Sequence, residues 1–179
     1  MTNVQDFLQR GSGTTDEALA AFDTLPAVDF DFMQGRWVGR GLATGHPMDG
    51  LLELYGWYGK AFDSPENVHP LLFGDCGQHC MEPFPLMATM GLLGPNIARK
   101  PVMKTLFGVF SPVFRTRKHR ARMRSTEFRG KVTATMIYDG LPINDLFVKV
   151  DDDTVMGLMD LKGLEAPFFW RMQRETPRG

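Results

Sequence analysis

The sequence predicts a mainly β protein: a single antiparallel β-barrel of about eight or more strands, with a helical N-terminal extension and an inserted apolar cover. Three observations lead there. Strand-length runs fill the last third of the chain one after another. The turns between them are only a few residues long. A glycine-punctuated run starting at Met33 supplies a further strand after a helical opening. Connections this short make neighbours antiparallel, because a parallel pair needs a crossover of about a dozen residues. Closing the sheet on itself also removes its exposed edges.

In chain order, Thr14-Thr15-Asp16-Glu17 reads as a capping box that starts a helix. Leu19 and Phe22 share its buried face, and Pro26 marks its exit. A shorter helical piece carrying Val4, Phe7 and Leu8 precedes it. Met33 to Thr44, Trp57 to Asp63 and Val68 to Gly74 read as strands, and Met48 to Trp57 as a helical turn or two. Phe84 to Phe114 is apolar, rich in Met, Gly and Pro, and lacks alternation. It reads as loop and short helices across one end of the sheet. Arg120–Phe128, Lys131–Asp139, Ile143–Val150, Thr154–Lys162 and Phe168–Arg174 are the meander. The organisation expected is one domain over 1–179. Its parts are a helical extension (1–29), a first β segment (30–75), the apolar insertion (76–115) and the β-meander (116–175).

With 43% hydrophobic residues the chain can fill one core, and its net charge of −1 gives no general attraction to nucleic acid or an anionic membrane. The first residues lack the basic and apolar regions of a secretory signal. Two cysteines, Cys76 and Cys80, are too few for a disulfide scaffold, so a cytoplasmic, reducing compartment is expected. No run reads as a membrane span: Pro83 to Ala98 is uncharged but short and broken by Pro and Gly.

Gly35-Arg36-Trp37-Val38-Gly39 matches a Gly-x-Trp-x-Gly signature. Thr44-Gly45-His46-Pro47, Gly56-Trp57-Tyr58-Gly59-Lys60 and Val68-His69-Pro70-Leu71 follow it. Together they resemble the GXWXG family. Tyr138-Asp139, Pro142-Ile143, Asp145, Gly157-Leu158-Met159-Asp160 and Lys162-Gly163 resemble the uncharacterised domain that commonly follows it. The likeness runs from Phe30 to Arg174 and carries no activity with it. A Gly-x-Trp in a first strand is also similar to calycin-like barrels, among them lipocalins and nitrobindin-type haem proteins. Physically, Gly35 and Gly39 permit a bend or a close approach, and Trp37 can plug a barrel end with its indole N–H on a carbonyl.

Candidate site residues are polar groups set among apolar ones. The catalytic candidates are His46, Tyr138, Asp145 and Asp160. The ligand-binding set adds Trp57, Lys60, Arg122 and Arg124. Tyr138 shares a face with Ala134 and Met136, Asp145 with Ile143 and Phe147, and Asp160 with Met156 and Leu158. If those faces point inward, the interior is an apolar pocket with a few polar groups. Structural ion pairs at the barrel ends are the competing reading, with even weight. His46, in a turn, suits proton transfer or haem ligation.

Cys76-Gly77-Gln78-His79-Cys80 lacks the second ligand pair of a structural zinc site, so no metal is expected. Arg115 to Arg124 carries six Arg or Lys residues but no interleaved aromatics, and reads as a solvated edge rather than a nucleic-acid patch. Asp151-Asp152-Asp153 reads as a hairpin turn. No nucleophile elbow, phosphate loop or dinucleotide fingerprint occurs.

The function expected is binding of a small hydrophobic metabolite, with no cofactor. The alternatives are a cofactor-free isomerase or lyase on a terpenoid- or polyketide-like substrate, and a haem-binding barrel using His46 or His69. Within the apolar insertion, Leu86, Met90 and Leu93 form one helical face and Val102, Leu106, Val109 and Phe110 another. It reads as a cover over the barrel mouth, with a homodimer interface as the rival.

Overall fold

The computed structural model describes residues 4–83, 94 and 96–176. It opens with three helices, α1 (Val4–Arg10), α2 (Thr15–Thr24) and α3 (Phe30–Met33). The strands are β1 (Gly35–Leu42), β2 (Trp57–Ser64), β3 (Asn67–Phe73), β4 (His79–Cys80), β5 (Ala121–Phe128), β6 (Lys131–Tyr138), β7 (Ile143–Lys149), β8 (Thr154–Leu161) and β9 (Phe168–Arg174). Helix α4 (Leu51–Leu54) lies between β1 and β2, and α5 (Pro101–Phe110) precedes β5. The capping box is present: the Glu17 amide donates to Thr14 Oγ1, and the Thr14 amide donates to Glu17.

The nine strands among the described residues join one antiparallel sheet in the order β2-β1-β9-β8-β7-β6-β5-β3-β4, and β2 also pairs with β3. Eight strands therefore form a barrel-like ring, with the short β4 on the outside edge of β3. The meander read from the sequence is β5 to β9. The ring closes between β3 and β5 through one paired position, Val68 opposite Ala121. Backbone bonds from Arg120 to Val68 (3.0 Å) and from Met123 to Pro65 (2.7 Å) support it.

Two apolar clusters flank the strands. The inner one takes residues from every strand of the ring, including Trp37, Phe62, Val68, Met123, Met136, Phe147, Val155 and Trp170. The outer one sets Leu42, Leu146, Val148, Met156, Leu158 and Phe169 against Phe7, Leu8, Ala18 and Phe22 of the first two helices. Part of the ring is thus apolar on both faces, because the helical extension covers its outside. Lys131 fastens that extension by donating its ammonium to the carbonyls of Phe22, Asp23 and Leu25. The following chain inserts between β6 and β7: the Ala134 amide donates to Val28 and the Lys149 amide to Pro26. That insertion explains why β6 and β7 pair directly only over Thr135–Ile137.

The Gly-x-Trp-x-Gly segment is structural. Trp37 is fully buried and donates its indole N–H to the Met33 carbonyl at 2.7 Å. The Arg174 guanidinium stacks over its ring at 4.3 Å and donates to the Phe32 and Gln34 carbonyls. Gly39 makes room for a side chain, since a Cβ there would lie 2.1 Å from the Trp57 ring. Gly59 makes room for backbone, since its Cβ would meet the Trp37 carbonyl oxygen at 1.8 Å.

In the apolar insertion, Leu86, Met90 and Leu93 lie outside the described residues. Helix α5 starts at Pro101, as the Lys100-Pro101 break predicts. Its Val102, Leu106, Val109 and Phe110 are exposed, while Phe107 packs on Tyr55 and Phe73. No helix among the described residues is long and apolar enough to cross a membrane.

Replacing Gly39 by Ala forces the Trp57 ring to move. The expected cost is about 1–3 kcal/mol in chemical denaturation, with a shift in tryptophan emission. Gly140→Ala, where the added methyl meets nothing within 4 Å, serves as the neutral control.

Candidate functional site

Strand parity decides which polar groups enter the ring. On β6, Ala134, Met136 and Tyr138 face inward, and on β7 Ile143, Asp145 and Phe147 do so. From the other half, β2 brings Lys60 to the same place. Lys60 Nζ lies 2.8 Å from Asp145 Oδ2, 3.1 Å from the Pro70 carbonyl and 3.5 Å from the Tyr138 hydroxyl. Trp57, Tyr138 and Trp170 surround the ammonium at 5.1–5.7 Å from their ring centroids. Both members of the pair are buried, at 3% and 1% side-chain exposure. The other ion pairs among the described residues reach solvent on at least one side.

This cluster lines an apolar cavity. Its other walls are Met48, Leu51, Leu52 and Tyr55 from the β1–β2 connection, and Trp57, Leu71, Phe73, Ile143, Met159, Phe168 and Trp170 from the strands. The cavity is narrow, with a volume of about 50 Å³. Two tryptophans hold their positions over glycines: Trp57 over Gly39, and Trp170 over its cross-strand partner Gly157.

Burial pushes the Asp145 carboxyl up, against the opposing pull of the Lys60 charge and hydrogen bond and of the Tyr138 hydroxyl. Burial, then the neighbouring Asp145 charge, hold the Tyr138 phenol well above its ordinary value. Lys60 spends its donors on three protein acceptors. Asp145 Oδ1 and the indole nitrogens of Trp57 and Trp170 have no hydrogen-bond partner among the described residues. A cluster of this kind can hold a polar end of a guest, or move a proton between a carboxyl and a phenol.

Of the residues singled out from sequence, Trp57, Lys60, Tyr138 and Asp145 come together here. The others lie elsewhere. Arg122 and Arg124 point outward, beside Asp139 at 3.6 Å and Glu66 at 2.8 Å, because Ala121 and Met123 take the inner face of β5. Asp160 shares its face with Met156 and Leu158, and that face is the outer one. His46 is buried behind the cavity wall, its ring tilted 50° against Phe168 with centroids 5.3 Å apart, and its Nδ1 accepts from the Met48 amide at 3.1 Å. His69 stands outside the ring, stacked on His119. Sequence reasoning missed Trp170, Phe168, Met159 and the α4 wall. Met159 was reachable by parity with Gly157 once Met156 and Leu158 were known to face out.

The GXWXG protein family matches residues 20–77, and a domain of unknown function (DUF4334) matches residues 119–174. No curated protein matches the chain. A crystal structure of a protein from Thermomonospora curvata is similar at 29% identity and TM-score 0.66, over 97% of this chain and 96% of that one. The two matched segments supply β1–β3 and β5–β9 respectively, so each gives part of one ring.

Removing one member of the buried pair strands the other. Lys60→Met should cost about 3–5 kcal/mol in urea unfolding, and a Lys60→Met/Asp145→Leu double replacement should recover most of that loss. Burial holds His46 below its ordinary value of 6.5, against the Asp49 charge and an Ala166 backbone bond that raise it. Its stabilising contribution is therefore complete above pH 6.5 and is lost as pH falls through the depressed value. The melting temperature should fall on acidification from about pH 7 to 5, and His46→Asn should flatten that slope.

Proposed function

We propose that this protein, whose chain joins a GXWXG domain to a DUF4334 domain, binds a small, largely apolar molecule inside its ring of strands. The carrying observation is where unmet hydrogen-bonding capacity falls. Six buried side-chain polar atoms lack partners among the described residues, and three of them, on Trp57, Asp145 and Trp170, belong to cavity residues. Buried polar atoms are ordinarily paired, so a concentration of unpaired ones beside an apolar space fits a guest with a polar end. Flat aromatic walls suit an unsaturated or ring-bearing guest. Helix α5 reaches the same place through Phe107, against Tyr55 and Phe73, and we read it as part of the cover.

A second reading rests on one feature. Asp145 and Tyr138, both raised by burial, meet beside Lys60. That arrangement suits proton transfer on a hydrophobic substrate without a cofactor, as in an isomerase or lyase. Asp145 and Tyr138 are both among the four catalytic candidates read from sequence, while His46 and Asp160 do not line the cavity. For haem, neither His46 nor His69 lines the cavity.

Native mass spectrometry and organic extraction of the purified protein should release one small molecule per chain. An apolar fluorescent naphthalene probe should bind saturably and quench tryptophan emission. Met159→Trp, which fills the cavity, should abolish both while leaving the far-ultraviolet spectrum unchanged. Probe binding that survives this replacement places the guest elsewhere and overturns the reading. Asp145→Asn should weaken guest binding where the carboxylate meets the polar end, with urea unfolding as the control for the stranded Lys60.

A further inference from the structure

The fold gathers a second cluster on the outer face of the ring, away from the cavity. Asp63 lies near the end of β2, His69 on β3, and His119 in the stretch leading into β5. Their possible ligand atoms all lie within 4.8 Å of one another. His119 Nε2 is 3.0 Å from Asp63 Oδ2, and the two imidazole rings stack with centroids 4.2 Å apart. We propose that Asp63, His69 and His119 bind a divalent first-row transition-metal ion, with zinc as the reference case.

The chemistry fits. Imidazole nitrogens with one carboxylate suit zinc, cobalt, nickel or copper better than the hard alkaline-earth ions. Bonds of about 2.0–2.1 Å set ligand atoms on a shared zinc roughly 3.4 Å apart. The His119–Asp63 approach is already within that spacing, and small side-chain rotations close the rest. Three protein ligands leave a position for water. A separate observation points the same way: His69 Nδ1 is buried and has no hydrogen-bond partner among the described residues.

Cys76, His79 and Cys80 do not belong to this cluster. Its three members are 56 residues apart in sequence at their widest, from residue 63 to residue 119. They converge where β3 meets β5 through one paired position. A bound ion there would tie the β2–β3 hairpin to the C-terminal meander, so binding should stabilise the closed ring.

The test uses the full chain stripped with chelator, then titrated with zinc chloride by calorimetry and with cobalt chloride by absorbance. Saturation is expected at one ion per chain, with a rise in melting temperature and cobalt ligand-field bands in the visible. His69→Gln and His119→Gln should each weaken zinc binding by at least about tenfold. Asp63→Asn, at an exposed position, gives a third variant should either histidine replacement fail to fold. Cys76→Ser/Cys80→Ser should bind as the unaltered chain does. No saturable binding at about millimolar zinc overturns the proposal. So does binding that survives the folded histidine or aspartate variants, or that disappears in the cysteine variant.

Discussion

Lys60 and Asp145 meet 2.8 Å apart inside the ring, one on β2 and the other on β7. Two charges so deeply buried are tolerable only when each is met by the other and by further partners. The Pro70 carbonyl, the Tyr138 hydroxyl and three aromatic faces complete the setting for the ammonium. Those groups come from β2, β3, β6 and β9, so the pair needs the whole ring assembled in register. A slip of one residue on β2 or β7 would turn a charge out of the interior and an unsuitable neighbour into it. The pair is thus less a source of stability than a demand for one arrangement.

The aromatic wall answers a second demand, that of space. A ring of eight strands has limited room, and two tryptophans must lie flat within it. Gly39 and Gly157 provide that room by lacking a Cβ where an indole rests. The glycine of the motif and the cavity wall are therefore one feature: Gly39 is small because Trp57 is large. Trp37 serves a different end, sealing the interior beneath α3 with Arg174 over its ring.

Much of this was legible from sequence, for physical reasons. The capping box, the five-strand meander and its short turns follow from local rules, and the structure keeps each within a residue or two. The inward direction of Tyr138 and Asp145 follows from alternation. On β8 alternation groups Asp160 with Met156 and Leu158 but does not tell which face points inward, because both faces of that strand are apolar. The N-terminal helices cover the outer face, and no local pattern announces which long-range partner will do so. The short α3 and the insertion of residues 26–28 between β6 and β7 escaped notice for the same reason. The clustering of His69 with His119 is likewise a product of ring closure.

That closure has a bearing on how the molecule assembles. The hairpins within β1–β3 and within β5–β9 join neighbours along the chain and cost little loop entropy. The β1–β9 pairing joins Trp37 to Arg174, and the β3–β5 pairing crosses the whole apolar insertion. Folding should therefore begin as two separate local pieces, and their docking should set the overall rate. The two pieces coincide with the two family segments, yet each alone presents open strand edges and half of a buried ion pair. Recombined in one tube, separately made halves would be complementary fragments, each the other's folding template.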